Sequence, residues 1–345
     1  MEYNVSFPTG TVQYSFSDIS ELTKNAPTES SIIITDSNVA TLYQHIIGDY
    51  RTIIIPAGEE YKTENTLHNI VEQLLEFKAH KKTTIVGMGG GVATDIAGYA
   101  ASIYMRGVPF GFVPTTLLAM VDAAIGGKNG VNFGLHKNML GNIRQPSFIL
   151  YDSQLLKTLP EIEWSNGFAE IIKYGCIFDA SLFNSLSKHD IGYYRANAKS
   201  LGKLIEKCVA WKNKTVTEDE KENGVRKLLN FGHTAGHAIE TLYNLPHGQA
   251  VSLGMLIACI IAEKECALPT DVRTQLTNIL ERYKLPTSLK LHTDQLMDIL
   301  VMDKKRSNNS IDYILLNSIG SAFIKPLPFD TIKQALEDFN NAGNH

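Results

Sequence analysis

The first half of the chain alternates short runs of β-branched apolar residues with longer amphipathic segments. Such a run is typical of a buried strand, whereas an amphipathic stretch such as ENTLHNIVEQLLEFKAH is typical of a helix. The alternation predicts a mostly parallel sheet covered by helices. Strands are expected in the segments SIIITDSNVATLYQ, RTIIIPAGEEYKT, KTTIVGMGGGVATDIAGYAASIYMRG, VPFGFVPTTLLAMVDAAIGGKNGVN and SFILYD, the fourth of which should continue as loop and helix.

Polar residues or glycines follow four of these predicted strands. Ligands of open α/β sheets bind outside the carboxyl ends of the strands. We therefore expect one ligand crevice formed by residues 36–38, 58–62, 89–91 and 114–116.

Beyond about Asp152 the strand pattern gives way to helical periodicity. This change predicts an α/β domain over residues 1–152 and a mainly α-helical domain over residues 153–345. A late pair of apolar runs, 311–316 and 320–324, could form a small hairpin. Helices are expected at 160–176, 181–187, 197–217, 231–242, 249–267 and 270–283.

Three of the ten histidines lie in the segment RKLLNFGHTAGHAIETLYNLPHG. His233 and His237 are one helical turn apart and share a helix face. His247 should sit at a turn after Pro246, beside the next helix, and Gly232 should allow a close backbone approach. Two histidines on one face with a third nearby suit a Zn²⁺-type site. Surface or core histidines in a helical hairpin are the alternative interpretation.

A glycine-rich turn, Gly89 to Thr94, follows a predicted strand and opens a helix. Glycines there let backbone N–H groups meet a pyrophosphate at the helix N-terminus. The pattern lacks the third glycine of a Rossmann fingerprint and the acidic residue about twenty positions on. Asp36 is the better ribose ligand, and a simple tight turn is the alternative. A P-loop is excluded because Asn129 follows Gly127-Lys128.

Two further polar groups are candidates for ligand binding. Asp122, Lys128, Lys137 and Asn138 crowd one predicted loop region that suits a phosphate or carboxylate, although a solvated loop would look similar. Glu170 shares a helix face with Lys173. Apolar neighbours favour burial of that pair over a surface pair, and a buried carboxylate needs a partner such as a metal.

Composition narrows the class of protein. A net charge of −4 over 345 residues argues against nonspecific nucleic-acid binding, which needs a basic face. The longest apolar run, residues 251–262, is too short to cross a bilayer, and no signal peptide is recognisable. The four cysteines lie in predicted helices without a CxxC pair, so buried reduced thiols are expected. We expect a soluble cytoplasmic protein.

The motifs together resemble the 3-dehydroquinate synthase family, over nearly the whole chain. The matching stretches include PAGEEYKT, GMGGGVATDIAGYAAS, RGVPFGFVPTTLLAMVDAAIGGKNGVN, GLHKNMLG, GFAEIIKYG, GVRKLLNFGHTAGHAIE and PHGQAVSLGM. The resemblance implies an α/β NAD-binding domain with a mostly parallel sheet and a mainly α-helical metal-binding domain, a fold similar to that of iron-dependent alcohol and glycerol dehydrogenases.

The resemblance also implies roles for individual residues. The metal ligands would be Glu170, His233 and His247, binding Zn²⁺ or Co²⁺. The NAD contacts would be Asp36, Asn38, Glu59, Lys62, Gly90, Gly91, Asp95, Thr115, Thr116, Lys137, Thr158 and Leu159, with Asp122 and Lys128 shared between cofactor and substrate. The catalytic or substrate residues would be Lys128, Asn138, Lys173, Lys212, Glu222, Arg226, Asn230, His237 and one of Lys304 and Lys305, with Arg106 reaching the neighbouring subunit of a homodimer.

The implied substrate is 3-deoxy-D-arabino-heptulosonate 7-phosphate. In the implied reaction, transient oxidation by NAD⁺ acidifies a C–H bond, phosphate is eliminated, the hydride returns and the ring recloses as 3-dehydroquinate. Two alternatives remain, another sugar-phosphate cyclase and a net oxidoreductase of the glycerol-dehydrogenase type. A third, a catalytically inactive nucleotide-binding module, is disfavoured because the sequence has a metal-ligand residue at all three of the implied ligand positions.

Overall fold

The structure, a computed structural model, describes residues 1–134, 136–304 and 310–342. The chain divides into two compact units. The first contains residues 1–160 and 201–221, and the second contains 161–200 and 222–345. The division predicted from the sequence, 1–152 and 153–345, assigns residues 153–160 and 201–221 to the other part.

The first unit is built on a mostly parallel sheet. Its strand order is β1-β2-β9-β6-β5-β3-β4, and only the β1–β2 pair is antiparallel within it. A separate antiparallel pair, β7–β8, belongs to the same unit, and the pair β10–β11 belongs to the second. The strands of the described chain are β1 (Glu2–Phe7), β2 (Gly10–Phe16), β3 (Ser31–Asp36), β4 (Arg51–Ile55), β5 (Thr84–Gly89), β6 (Phe110–Pro114), β7 (Lys128–Phe133), β8 (His136–Ile143), β9 (Phe148–Tyr151), β10 (Ser310–Ser318) and β11 (Ser321–Pro328).

Helices cover the sheet and make up most of the second unit. They are α1 (Leu22–Asn25), α2 (Ser37–Leu42), α3 (Gln44–Ile47), α4 (Glu64–Glu76), α5 (Gly91–Ile103), α6 (Glu161–Ile177), α7 (Ala180–Leu186), α8 (Ile191–Ala196), α9 (Ala198–Glu218), α10 (His233–Tyr243), α11 (His247–Cys266), α12 (Thr270–Arg282), α13 (Thr293–Lys304) and α14 (Phe329–Ala342).

The central strands are buried on both faces. Ile32, Ile33 and Ile34 of β3 are all fully buried, which explains why this strand is a continuous apolar run rather than an alternating one. In the second unit, α11 is buried along nearly its whole length, so it is apolar on every side. The predicted fold class, a mostly parallel α/β domain plus a mainly helical one, is confirmed.

Several elements differ from the sequence predictions. The segment predicted as loop and helix after β6 contains only a short helical turn, Ala119–Ala123, before the β7–β8 hairpin. In that hairpin Gly130 lies against Gly141, and a side chain on either would collide with the opposite backbone. Close glycine contacts replace the apolar alternation that normally reveals strands, and β8 is mostly exposed. The β1–β2 hairpin and helices α8, α13 and α14 were also not predicted.

Two further expectations concern the burial of the cysteines and the absence of a helix that could cross a bilayer among the described residues. Cys176, Cys208 and Cys259 are buried thiols as predicted, but Cys266 is only half-buried because it ends α11. Among the described residues, no helix combines the length and apolarity that crossing a bilayer would require.

Candidate active site

The carboxyl ends of four neighbouring strands carry the predicted nucleotide residues. β4, β3, β5 and β6 are adjacent and parallel, and the Thr115 amide donates to the Gly89 carbonyl at 2.9 Å. A Cβ at Gly90 would lie 3.1 Å from the Thr116 methyl carbon, so the turn is tightly packed. Within the described residues no side chain caps α5 at Gly90. Its first amide groups are therefore the type of donor that binds a phosphate.

Asp36 lies beside this turn and also caps a helix. Its Oδ1 accepts hydrogen bonds from the amides of Asn38, at 2.9 Å, and Val39, at 3.1 Å. Its Oδ2 lies 3.2 Å from where a Cβ on Gly89 would stand, so a side chain there would press on the carboxylate. The structure thus places Asp36, Asn38, Gly90, Thr115 and Thr116 at neighbouring strand ends.

A buried lysine joins two other predicted residues. The Lys62 ammonium donates to Asp95 Oδ2 and to Asn138 Oδ1, both at 2.6 Å. Burial raises the pKa of Asp95 even though the Lys62 charge opposes the rise. Glu59 accepts from Asn132 at 2.9 Å, and the Asn132 carbonyl group of the side chain accepts from the Asn138 amide. The β7–β8 hairpin is thereby tied to the segment after β4.

A second lysine holds Asp122. The Lys212 ammonium is 2.7 Å from Asp122 Oδ1 and donates to the Asp122 carbonyl at 2.6 Å. Asp122 lies in the helical turn before β7, while Lys128 and Lys137 are exposed on the β7–β8 hairpin. The predicted polar loop is therefore a turn followed by a hairpin. This arrangement was hidden because the segment has glycines and polar residues where a strand pattern needs apolar ones.

The remaining predicted residues of the first unit lie elsewhere. Thr158 shares a 2.7 Å hydrogen bond with the Tyr43 hydroxyl, and Leu159 is buried next to it in sequence. Arg106 is exposed in a turn where Met105, Arg106 and Gly107 all have positive φ.

The three predicted metal ligands meet in the second unit. Glu170 comes from the middle of α6, His233 from the first residue of α10 and His247 from the first residue of α11. Glu170 Oε1 lies 3.5 Å from His233 Nε2 and 3.4 Å from His247 Nε2. The ligand atoms all lie within 4.8 Å of one another. His247 was expected in a turn before its helix, but it begins the helix directly after Pro246.

Glycines allow the two histidine-bearing helices to come this close. Gly232 has a left-handed backbone, and a Cβ there would lie 2.9 Å from the Met255 amide nitrogen. A Cβ on Gly254 would collide with the Gly232 carbonyl oxygen. The close approach expected at Gly232 is therefore confirmed, and α11 is the neighbour.

The charges in this group favour a cation. Glu170 is fully buried and forms an ion pair with Lys173, the burial that the sequence favoured. Neither carboxylate oxygen has a hydrogen-bond partner of normal geometry among the described residues. Burial by itself would raise the pKa of Glu170, but Lys173 and the two imidazoles hold it well below its usual range. The buried, ionised carboxylate facing two imidazole nitrogens is the donor set that Zn²⁺ and Co²⁺ accept.

The two histidines that face Glu170 are in different electrostatic surroundings. Burial, with the Lys173 charge, lowers the pKa of His233 well below its usual range, so this imidazole is neutral. Burial also opposes protonation of His247, but the nearby carboxylates of Glu170 and Glu240 favour the charged imidazole and raise its pKa to about 10. A metal ion would take the place of the proton on His247 Nε2, since ligating imidazoles carry no proton on the ligating nitrogen.

His237 belongs to a neighbouring group rather than to the Glu170 group. It is exposed, and it forms a second cluster with Glu240 and His247. Glu240 was not singled out from the sequence. Its position seven residues after His233 and three after His237, on the same helix face, is the signal that could have found it.

The predicted substrate residues near the histidines are partly brought together. Asn230 donates to Glu222 Oε1 at 2.6 Å, and Arg226, in the turn Val225–Asn230, is buried. Glu222 has a positive φ of 60°. Lys304 is the last residue of α13, and its side chain is not described. Lys305 lies outside the described residues.

The fold and the two sites define a class of proteins in which an α/β nucleotide-binding unit is combined with a helical unit carrying a carboxylate–dihistidine group. The family model for 3-dehydroquinate synthase N-terminal matches residues 52–166, and that for 3-dehydroquinate synthase C-terminal matches residues 167–306. The chain belongs to the 3-dehydroquinate synthase family, which confirms the resemblance found in the sequence and makes the chain a member of an enzyme family.

Individual relatives agree with this assignment. The 3-dehydroquinate synthase of Campylobacter hominis is 37% identical, over 98% of this chain and 100% of its own length. A 2-deoxy-scyllo-inosose synthase solved with carbaglucose-6-phosphate, NAD⁺ and Co²⁺ is 25% identical, with a TM-score of 0.87 over 98% of this chain and 100% of its own. The 2-epi-5-epi-valiolone synthase of Streptomyces hygroscopicus subsp. jinggangensis, solved with NAD⁺ and Zn²⁺, is 28% identical, with a TM-score of 0.87 over 99% of this chain and 98% of its own.

Proposed function

We propose that this chain is a 3-dehydroquinate synthase that converts 3-deoxy-D-arabino-heptulosonate 7-phosphate to 3-dehydroquinate and phosphate. The observation that carries the proposal is the buried carboxylate–dihistidine group of Glu170, His233 and His247 in a chain of this family. When bound, NAD would take up and return a hydride, and Zn²⁺ or Co²⁺ would polarise the substrate's vicinal hydroxyl groups.

The second unit would hold the metal. Glu170, His233 and His247 supply three ligands, which leaves coordination positions for substrate oxygens as a catalytic site requires. Lys173 pairs with Glu170, and its charge favours the ionised form of the carboxylate. Exposed His237 lies beside this group and would contact the substrate rather than the metal.

The first unit would bind NAD⁺ at the strand ends. The uncapped start of α5 at Gly90 and Gly91 suits the pyrophosphate, and Asp36 suits a ribose hydroxyl. Thr115 and Thr116 line the next strand end. One hydrogen-bonded network lies beside it and would orient the cofactor. It contains Glu59, Lys62, Asp95 and Asn138.

The anionic groups of the substrate require cations. Lys128, Lys212, Arg226 and one of Lys304 and Lys305 are proposed to bind its phosphate and carboxylate. Lys212 is already held by Asp122, so its ammonium is fixed in position. With phosphate bound among these cations, transfer of a proton from the substrate carbon to the substrate's own phosphate would reduce the need for a protein base.

The deciding experiment supplies the heptulosonate phosphate with divalent metal and NAD⁺ far below the substrate concentration. We expect phosphate release to continue over many turnovers without a net rise in absorbance from NADH, because each hydride taken is returned. NADH accumulating in step with turnover would identify a net oxidoreductase instead.

Another sugar-phosphate cyclase is the second candidate, because two solved relatives of that kind share the fold at TM-scores of 0.87. Arg226 and Lys212 favour a substrate that carries a carboxylate as well as a phosphate. Phosphate release from a hexose 6-phosphate but not from the heptulosonate phosphate would support this second candidate.

We also propose a homodimer in the cytoplasm, with Arg106 completing the site of the neighbouring subunit. Arg106 is exposed on a conformationally restricted turn, which suits a residue that acts on the neighbouring subunit. Mixing two inactive variants of the chain tests this arrangement.

A further inference from the structure

The imidazole of His247 has a partner on each ring nitrogen. Its Nε2 faces Glu170 Oε1 at 3.4 Å, and its Nδ1 lies 3.1 Å from Glu240 Oε2. Glu240 is on α10, whereas His247 begins α11, so this contact also bridges two helices. We infer that Glu240 is a positioning residue that holds His247 in the orientation and tautomer needed for metal ligation through Nε2.

The chemistry of imidazole gives the reason. A neutral imidazole has one N–H and one lone pair, and the nitrogen that donates a hydrogen bond cannot ligate. A carboxylate accepting from Nδ1–H therefore leaves the lone pair on Nε2, on the side of Glu170. The negative charge behind the ring also makes the ligating nitrogen more basic and strengthens its bond to the metal.

The other histidine ligand is oriented in an equivalent way. His233 Nδ1 lies 3.1 Å from the Phe231 carbonyl oxygen, while its Nε2 faces Glu170. Both Nε2 atoms thus point at the same carboxylate, and both Nδ1 atoms have an oxygen acceptor. The acceptor for His233 belongs to the backbone, whereas the acceptor for His247 is a side chain that substitution can remove.

Burial explains why Glu240 needs a partner. Glu240 is only 9% exposed, and burying a carboxylate costs free energy unless the charge is paired. Thr241, the next residue of α10, is exposed instead. The two residues thus offer a matched pair of substitutions on the same helix turn, one next to His247 and one pointing to solvent.

This inference depends on the proposed metal site but not on the proposed reaction, so its test measures metal binding. We would compare four variants, Glu240→Leu, Glu240→Asp, Glu240→Gln and Thr241→Ala, with the wild-type chain. The measurements are Co²⁺ affinity by competition with a chelator, the visible absorption spectrum of bound Co²⁺ and the number of ions per chain. Thermal melting confirms that each variant is folded.

We expect Glu240→Leu to weaken Co²⁺ binding by about 10- to 100-fold and to change the Co²⁺ spectrum. Glu240→Asp should also weaken binding, because it keeps the charge but withdraws the carboxylate from Nδ1. Glu240→Gln should lie nearest to wild type among the Glu240 variants, since its amide oxygen can still accept from Nδ1–H. Thr241→Ala should match wild type in every measurement.

Three results would overturn the inference. Wild-type affinity and spectrum in the folded Glu240→Asp variant would show that the position of the carboxylate is irrelevant. Wild-type behaviour of Glu240→Leu would remove Glu240 from the site altogether. Two ions per wild-type chain, with one lost on substitution, would make Glu240 a ligand of a second ion together with His237 and His247. If the wild-type chain bound no metal, the proposed function itself would fail instead.

Discussion

Two histidines one helical turn apart have different surroundings in this chain. His233 is buried and faces Glu170, whereas His237 is exposed and lies nearer Glu240. We therefore expect His233→Ala to lose most of its bound metal on dialysis. His237→Ala should keep near-stoichiometric metal but lose turnover by about 10- to 1,000-fold, the range for a lost electrostatic or proton-handling group. Metal analysis and phosphate-release rates of the two purified variants measure both effects.

Equal loss of metal in the two variants would contradict this division of roles. Helical spacing alone predicts that outcome, since it places both side chains on one face. Sequence spacing cannot separate the two histidines, because the difference between them comes from α6, which is distant in sequence and supplies Glu170 to only one of them.

Asp36 has two functions to separate, a helix cap and a proposed ribose ligand. Substitution by alanine would remove both, whereas Asp36→Asn keeps an oxygen for the amides of Asn38 and Val39, and asparagine caps as well as aspartate. We expect Asp36→Asn to retain the melting temperature and the metal content of wild type but to bind NAD⁺ more weakly. Calorimetry of NAD⁺ binding decides this, and an unaltered affinity would leave Asp36 with its capping role alone.

The secondary-structure elements divide into those that the sequence predicts and those that it does not. Strands β3, β5 and β6 are buried on both faces and therefore stand out as apolar runs, and amphipathic α4 shows its helical period. The β7–β8 hairpin cannot be recognised from the sequence because its strands lack apolar alternation. Glycines let the two backbones lie close together instead. That hairpin carries Lys128, Lys137 and Asn138, so the residues could be selected from the sequence but not placed.

The packing of α10 against α11 determines where the two proposed histidine ligands lie. Because a methyl group on Gly254 would stand 1.9 Å from the Gly232 carbonyl oxygen, Gly254→Ala must push the helices apart. We expect it to destabilise the fold by about 1–3 kcal/mol, typical of overpacking, and to weaken Co²⁺ binding. Denaturant unfolding and chelator competition measure the two effects.

Gly202 offers the matched control for that substitution. It lies inside helix α9, and nothing stands within 4 Å of a Cβ built there. Gly202→Ala should be neutral or stabilise by about 0.4–1 kcal/mol, since alanine restricts the unfolded chain, and metal binding should not change. Similar effects of the two substitutions would mean that close helix packing does not position the ligands.

For the molecule as a whole, the residues of the proposed function are distributed over both compact units. The proposed nucleotide residues are in the first unit and the proposed metal ligands in the second. The pairing of Glu170 with His233 and His247 could not be worked out from spacing, because the three residues belong to three different helices. It came from the family resemblance, which covers nearly the whole chain and therefore links distant segments.

The proposed homodimer depends on how Arg106 is presented. Met105, Arg106 and Gly107 have consecutive positive φ angles, an unusual backbone for the first two residues. The Lys81 ammonium stabilises this turn by donating to the carbonyls of Met105, at 2.9 Å, and Gly107, at 2.6 Å. The result is an exposed arginine on a turn that is held in one conformation, as a residue that reaches into another subunit requires.

Mixing two inactive variants tests whether Arg106 acts across a subunit interface. Arg106→Ala and Lys128→Ala should each be nearly inactive alone. In a mixed dimer one site would carry both defects, while the other would combine its own Lys128 with the intact arginine of the partner. With two equivalent sites related by a twofold axis and random exchange, about a quarter of wild-type activity should return. Phosphate release after subunit exchange, verified with differently tagged chains, provides the measurement. An exchanged mixture as inactive as its components would place Arg106 in the site of its own chain.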